Sequence, residues 1–148
     1  MTKLLFCPPP CWDIVTLHVD IFRPCRCGRS AGMFLDDGHH ALLIGPAIAL
    51  GTLNEDLESA VKPHESGYYM VRTWKIPDGE RIIRIVAKTS GLAITTPCSP
   101  NSKCQPCPYR ILPTVAPAPS GKITITVEVK KHGAVVQTLG PFELVPGA

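Results

Sequence analysis

The sequence predicts a mainly β fold with one short helix, and three observations carry that expectation. Sixteen prolines and twelve glycines in 148 residues disfavour a helical bundle, because both residues break helix interiors. Several short stretches alternate apolar and polar residues, most clearly Ile123 to Lys130, and a period of two marks a half-buried strand. Turn sequences separate these stretches: Asp36-Asp37-Gly38, Pro77-Asp78-Gly79 and Lys131-His132-Gly133, in which glycine accepts the positive φ that a tight turn demands. With 45% hydrophobic and 18% charged residues and a mean hydropathy of +0.13, the chain is globular and able to bury a core.

The elements follow in order. Residues 4 to 22 read as two short strands around the first cysteine pair, the second running Ile14 to Val19 with Val15, Leu17 and Val19 on one face. Residues 33 to 44 read as a hairpin, Met33-Phe34-Leu35 returning through His40 to Ile44. Thr52-Leu53-Asn54-Glu55 has capping-box form. Leu53, Leu57, Ala60 and Val61 then share one helical face, and Pro63 ends the helix; Leu53, Leu57 and Val61 are expected to pack on a sheet. Tyr68 to Ile76 reads as a strand with Tyr68, Met70, Trp74 and Ile76 on a face with Arg72. Arg81 to Lys88 is expected as its partner, although Ile82, Ile83, Ile85 and Val86 also fit a helical turn. Residues 89–121, rich in proline, serine and threonine, read as a long loop or insertion. The chain closes in a hairpin from Lys122 to Leu139, whose row Ile123, Ile125, Val127, Val129 is too apolar to leave in water. The organisation expected is a region 1–64 containing the helix and a β-rich region 65–148 with the loop at 89–121.

Charge and targeting signals narrow the function classes. A net charge of +3 is too mild to imply nucleic acid by itself. No apolar run reaches eighteen residues, so no membrane span is expected. The opening MTKLLFCPPPC, with one lysine and a short apolar run, does not read as a signal peptide. A cytoplasmic location follows, where paired cysteines more often hold metal than form disulfides.

The cysteines carry the most information. Cys7 and Cys11 close CPPPC, and Cys25 and Cys27 begin CRCG. Two close pairs separated by enough chain for a hairpin are how a small protein assembles a tetrahedral thiolate site for zinc, with Gly28 permitting the tight turn behind Cys27. The reading is a structural zinc in zinc-ribbon-like hairpins; a disulfide and free buried thiols are the alternatives. Four thiolates leave no open coordination position, so the site is not catalytic. His18 lies on a strand near the first pair. A second set, Cys98, Cys104 and Cys107, offers a C-x2-C knuckle and reads as a second metal site with a fourth ligand such as His132 or His64, a local disulfide, or surface thiols. No helix stands behind Cys104-Cys107 to suggest redox activity.

Other features point less sharply. His39-His40 beside Asp36-Asp37 resembles a metal cluster, but a hairpin turn leaves such residues solvated. Arg23, Arg26 and Arg29 flank the second knuckle, where they could neutralise phosphates of a nucleic acid. Tyr68, Tyr69 and Trp74 could stack on bases and are equally suited to a core. There is no nucleophile elbow, triad pattern, phosphate loop or dinucleotide fingerprint.

Residues Leu4 to about Lys62 resemble a group of uncharacterised bacterial and phage proteins that open with a zinc-ribbon-like segment. The pattern C-x-C-G-x-S-x-G-x-[YF]-x-D is matched by Cys25, Cys27, Gly28, Ser30, Gly32, Phe34 and Asp36. Gly45-Pro46-Ala47, Gly51 and Asn54 follow in the group's order. The C-x3-C spacing of the first pair and the C-terminal hairpin depart from it. The resemblance implies a cytosolic prokaryotic or phage protein with a metal knuckle at its start, and no activity.

The sequence therefore predicts a mainly β protein with zinc-ribbon-like N-terminal hairpins, one short helix, and a C-terminal hairpin packed in a small sheet or sandwich. The function expected is that of a non-enzymatic, zinc-stabilised interaction factor, acting on a protein partner or through self-assembly, with no small-molecule substrate. A structural component of a virion or other assembly is the first alternative, and a nucleic-acid-binding zinc ribbon the second.

Overall fold

The computed structural model describes residues 2–62, 70–88, 91–95, 107–117 and 123–144. In chain order the elements are β1 (Thr2–Phe6), β2 (Ile14–Thr16), β3 (Arg23–Pro24), β4 (Ala31–Phe34), β5 (Ala41–Ile44), β6 (Ile48–Thr52), α1 (Asn54–Val61), β7 (Thr73–Lys75), β8 (Ile82–Lys88), β9 (Gly91–Ile94), β10 (Tyr109–Pro117), β11 (Ile123–Lys131) and β12 (Ala134–Leu144). The fold is mainly β, as the proline and glycine content and the alternation predict. No helix among the described residues is long and apolar enough to cross a membrane.

Three sheets form, ordered β2-β1-β6-β7, β3-β4-β5-β8-β9 and β10-β11-β12. Among the described residues every strand ladder is antiparallel except that of β5 with β8, which run parallel with Ala41 opposite Ile82 and Ile44 opposite Ile85. The second sheet lies between the other two. On β5, Leu42 and Ile44 enter one core with Ile83, Ile85, Met33 and Leu35, facing Ile125, Val127, Val129 and Leu139 of the third sheet. Ala41 and Leu43 enter the other with Ile82, facing Leu5, Val15, Ala49 and Ile76 around the first sheet. Strands covered on both faces read as continuous apolar runs. That is why Ala41-Leu42-Leu43-Ile44 is buried throughout, and why Ile82 to Val86 imitates a helical turn in sequence. The regions 1–64 and 65–148 share these sheets, since β6 pairs with β7 as β5 does with β8.

Three expectations change. The stretch 89–121 contains two strands: β9 pairs with β8, and β10 pairs with β11 along its whole length, from Tyr109–Lys131 to Pro117–Ile123. Pro113 sits opposite Val127 within that ladder. β10 tolerates it because an edge strand has one side whose N–H groups need no partner. The helix begins later than the capping-box pattern suggests, with Leu53 at the N-cap and no side-chain cap bond, while Thr52 is buried as the last residue of β6. Its apolar face does not dock: α1 has no buried residue and Val61 is 83% exposed. Of the strand expected at Tyr68 to Ile76, only Thr73–Lys75 is β, and Met70 is exposed; Tyr68 and Tyr69 lie outside the described residues. Trp74 lies over Gly51 so closely that a Cβ there would stand 2.7 Å from its indole.

Candidate metal centre

The first knuckle follows directly from β1. Cys7 is the residue after Phe6, and its N–H donates to Asp13 O at 2.8 Å, pinning the base of the CPPPC loop. Inside the loop Cys11 N–H reaches Pro8 O at 3.3 Å. The second knuckle lies between β3 and β4. Cys25 N–H donates to Ser30 O at 2.8 Å, and Gly28 N–H to Cys25 O at 2.9 Å. Gly28 has φ +71°, and a Cβ there would meet nothing within 4 Å. Glycine is thus required by backbone conformation and not by space.

The two loops bring Cys7, Cys11, Cys25 and Cys27 together, with all four sulfurs within 4.8 Å of one another. Cys27 Sγ lies 3.4 Å from Cys25 Sγ and 3.6 Å from Cys7 Sγ. Thiolates about 2.3 Å from a tetrahedral ion stand about 3.8 Å apart, so the cluster has the dimensions to hold a metal ion. The sulfurs are far beyond the roughly 2.05 Å of a disulfide, and all four cysteines are free thiols. Cys7, Cys11 and Cys25 are buried while Cys27 faces solvent.

The electrostatics differ between the thiols: they disfavour a thiolate at Cys7 and favour one at Cys27. Burial, then a hydrogen bond with Cys25, pushes the Cys7 thiol up to about 12, against the opposing effect of Ser30. The Ser30 hydroxyl is itself fully buried and makes no hydrogen bond within ordinary limits among the described residues. A thiolate at Cys7 is the acceptor it lacks. Desolvation also works against ionised Cys27, but hydrogen bonds from Arg29 outweigh it and hold that thiol down at about 6. Arg29 Nε donates to Cys27 Sγ at 3.4 Å, and its Nη2 reaches Pro8 O and Pro9 O at 3.3 and 3.1 Å. Arg26 N–H donates to Asp13 Oδ2 at 2.7 Å, and its guanidinium to Cys11 O at 3.2 Å. Both arginines therefore tie one knuckle to the other. Arg23 lies on β3, exposed, and His18 is exposed on an isolated bridge outside the cluster.

Of the second cysteine set, only Cys107 lies among the described residues. Cys98, Cys104 and His64 lie outside the described residues. His132 is on the exposed β11–β12 turn, where its backbone N–H meets Pro108 O at 3.1 Å. The histidine beside Cys107 is His40, with Sγ and Nε2 3.7 Å apart. Nor is His40 a solvated turn residue, for it is 3% exposed. Its Nδ1 contacts Asp37 Oδ2 at 2.5 Å, and Asp37 Oδ1 accepts the N–H groups of His39 and His40, both at 2.8 Å. No family model, curated protein or solved structure matches the chain.

Proposed function

We propose that the protein is a non-enzymatic interaction factor whose N-terminal hairpins are fixed by structural zinc at Cys7, Cys11, Cys25 and Cys27. The observation that carries the reading is the four-sulfur cluster. Four thiolates in a closed tetrahedral site suit zinc, with iron the other ion that takes this ligand set, and such a site has no open position at which to activate water or polarise a substrate. The resemblance of Leu4 to about Lys62 to bacterial and phage proteins with a zinc-ribbon-like start is consistent with this reading, and the location we propose with it is the cytoplasm or a virion.

A surface beside the zinc site supports the interaction role. β2 and β3 are edge strands of two different sheets. Ile14 and Ile21, each more than half exposed, line one shallow groove with Arg23, Pro24 and Arg26. Unpaired strand edges accept an extended segment by main-chain hydrogen bonds, and these side chains favour a partner segment that is apolar with acidic residues. The knuckles set the spacing of the two edges, so zinc would act here by holding a binding surface in shape.

Elemental analysis of the purified full chain tests the metal. Zinc is expected, and Cys27→Ser should lose one equivalent; unchanged zinc in that variant would sink the assignment. For the surface, Ile14→Glu should abolish capture of a protein partner while leaving the zinc content at the parent value. A partner retained equally by Ile14→Glu and Ile21→Glu would remove the groove from consideration.

Self-assembly into a virion or another complex is the second reading. Its support is the third sheet, whose edge strands β10 and β12 carry exposed Leu112, Val115, Val135 and Val136. Light scattering separates it from a monomeric adaptor. Nucleic-acid binding is weaker, because the Arg26 and Arg29 guanidiniums already bind loop carbonyls.

A further inference from the structure

We propose that Cys27 is a peroxide-reactive thiol, and that its oxidation bridges it to Cys7, expels the metal and reshapes the groove between β2 and β3. The regulatory part rests on the metal and the groove proposed above; the disulfide itself needs neither.

Exposure picks the thiol that reacts first. Cys7, Cys11 and Cys25 are 0%, 7% and 3% exposed, while Cys27 faces solvent. A solute the size of hydrogen peroxide therefore meets one sulfur of the cluster before the others. Oxidant-sensing cysteines combine solvent access with a second thiol close enough to resolve the first product. Cys27 has both, since all four sulfurs lie within 4.8 Å of one another. Arg29 adds a cationic donor. Its Nε–H donates to Cys27 Sγ at 3.4 Å, and its Nη2 is anchored on Pro8 O and Pro9 O. A donor fixed beside the sulfur stabilises the negative charge that develops on the departing oxygen as a peroxide bond breaks.

Two sulfurs stand nearest to Cys27. Cys25 Sγ is at 3.4 Å and Cys7 Sγ at 3.6 Å. A bridge to Cys25 would span the single residue Arg26, whose N–H is held by Asp13 Oδ2 at 2.7 Å. So small a ring strains the dihedral near 90° that a disulfide prefers. Cys7 comes from the other knuckle, 20 positions away, and is free of that restriction. The buried Ser30 hydroxyl beside Cys7 is a donor for that sulfur as it attacks.

The chemistry balances with hydrogen peroxide as the oxidant. The Cys27 thiolate attacks one peroxide oxygen, the O–O bond breaks, and hydroxide leaves and takes a proton from solvent. The sulfur is oxidised by two electrons to a sulfenic acid. The Cys7 thiolate then attacks the Cys27 sulfur, forming the S–S bond and expelling the sulfenic oxygen as a second hydroxide, which solvent also protonates. Two thiolates, one peroxide and two protons thus give one disulfide and two waters.

The bridge draws a separation of 3.6 Å in to about 2.05 Å. It takes away two of the four ligands, leaving Cys11 and Cys25 for an ion that needs four. Two hydrogen bonds carry the movement to the groove. Cys7 N–H donates to Asp13 O at 2.8 Å, and Asp13 Oδ2 accepts from Arg26 N–H. Asp13 and Arg26 line the groove together with Ile14 and Arg23. Oxidation therefore alters the spacing of the two edge strands and the fit of a partner segment.

The test is a peroxide titration of the full-length chain as purified, with peptide mapping by mass spectrometry after the remaining thiols are blocked. Cys7–Cys27 should be the disulfide that forms within the cluster. One zinc should pass to a chromogenic chelator for each bridge, and dithiothreitol with added zinc should restore the parent. Protein stripped of metal beforehand should form the same bridge. In Cys7→Ser, dimedone should trap the sulfenic acid at Cys27. Arg29→Gln should slow oxidation of Cys27 about tenfold or more, and Arg29→Lys, which keeps the cation, should recover most of the rate. The amide resonances of Ile14 and Arg26 should move on oxidation while those of Val127 and Val129 stay. A bridge from Cys27 to Cys11 or Cys25, or a Cys27 still alkylated by iodoacetamide at its parent rate after peroxide, would overturn the inference with or without zinc. A Cys7–Cys27 bridge in a chain that carries no zinc as purified would overturn the metal reading and leave the thiol chemistry standing. Unmoved Ile14 and Arg26 resonances in a fully bridged chain would overturn the link to the groove.

Discussion

Two glycines near the thiolates do different work, and exchanging each for alanine separates backbone conformation from space. Gly28 turns the second knuckle at φ +71° with open room around it. Gly28→Ala should therefore cost only the left-handed conformation, about 1–2 kcal/mol. Gly45 has φ +87°, and a Cβ there would lie 2.0 Å from Arg29 O. Gly45→Ala must push away the backbone leaving the second knuckle, and should cost about 2–5 kcal/mol. Urea midpoints measured with an unchanged slope check the order; equal losses would mean that β4 yields to accommodate the methyl. At this scale the site was half legible. The pairs Cys7/Cys11 and Cys25/Cys27 announce themselves because each knuckle is local, and spacing alone puts two sulfurs on one loop. His40 does not, because its neighbour Cys107 is brought in by the pairing of strands far apart in sequence. One signal could have found it: the Asp37–His40 spacing, which places a carboxylate behind an imidazole in one turn.

The helix is the element whose sequence pattern misleads most. Leu53, Leu57, Ala60 and Val61 form a face by periodicity, yet no sheet receives it. What α1 has instead is an ion pair: Asp56 accepts from the Arg72 guanidinium at 2.8 and 2.9 Å and from its backbone N–H at 2.9 Å. Leu57→Ala should accordingly cost about 1 kcal/mol or less, where a docked leucine would cost about 2–5. A large drop in the thermal midpoint would mean that this face is covered. The ion pair gives a pH prediction. Hydrogen bonds from Arg72 hold the Asp56 carboxyl down to about 2, below the ordinary value of about 4. A depressed carboxylate stabilises the folded state fully above its unfolded pKa, and that contribution fades as pH falls through 4 toward 2. In Arg72→Ala the carboxyl should titrate near its ordinary value, as followed by NMR, and the stability difference from the parent should shrink as pH falls below 4 and vanish only below pH 2. An unshifted Asp56 would show that the pair does not persist in solution. The strands in 89–121 were hidden for a related reason. Proline suppresses strand reading, and only the pairing of β10 as an edge shows that Pro113 costs the ladder little.

At the scale of the whole molecule, the central sheet is buried because both of its neighbours are present. The alternation in β11 made one of these contacts legible in advance, since a row such as Ile125, Val127 and Val129 has to find cover. The covering surface was not legible, because Leu42, Ile44, Ile83 and Ile85 read as unbroken apolar runs that do not say which residue faces which layer. The third sheet therefore cannot be a dispensable tail. Ile125 is fully buried among these residues, so Ile125→Ala should cost about 2–5 kcal/mol. Deleting residues 122–148 goes further. It removes β11, the ladder partner of β10, together with β12, and uncovers the face made by Met33, Leu35, Leu42, Ile44, Ile83 and Ile85. A contiguous apolar face of that kind drives association in water. The truncated chain should aggregate or elute as large species in size-exclusion chromatography, even with Cys7, Cys11, Cys25 and Cys27 intact in sequence. The cysteine cluster does not cover that apolar face, so a metal bound at Cys7, Cys11, Cys25 and Cys27 should not rescue it. A truncated chain that stays monomeric, soluble and as stable as the parent would mean that the two inner layers stand alone and that β10 to β12 merely rest on them.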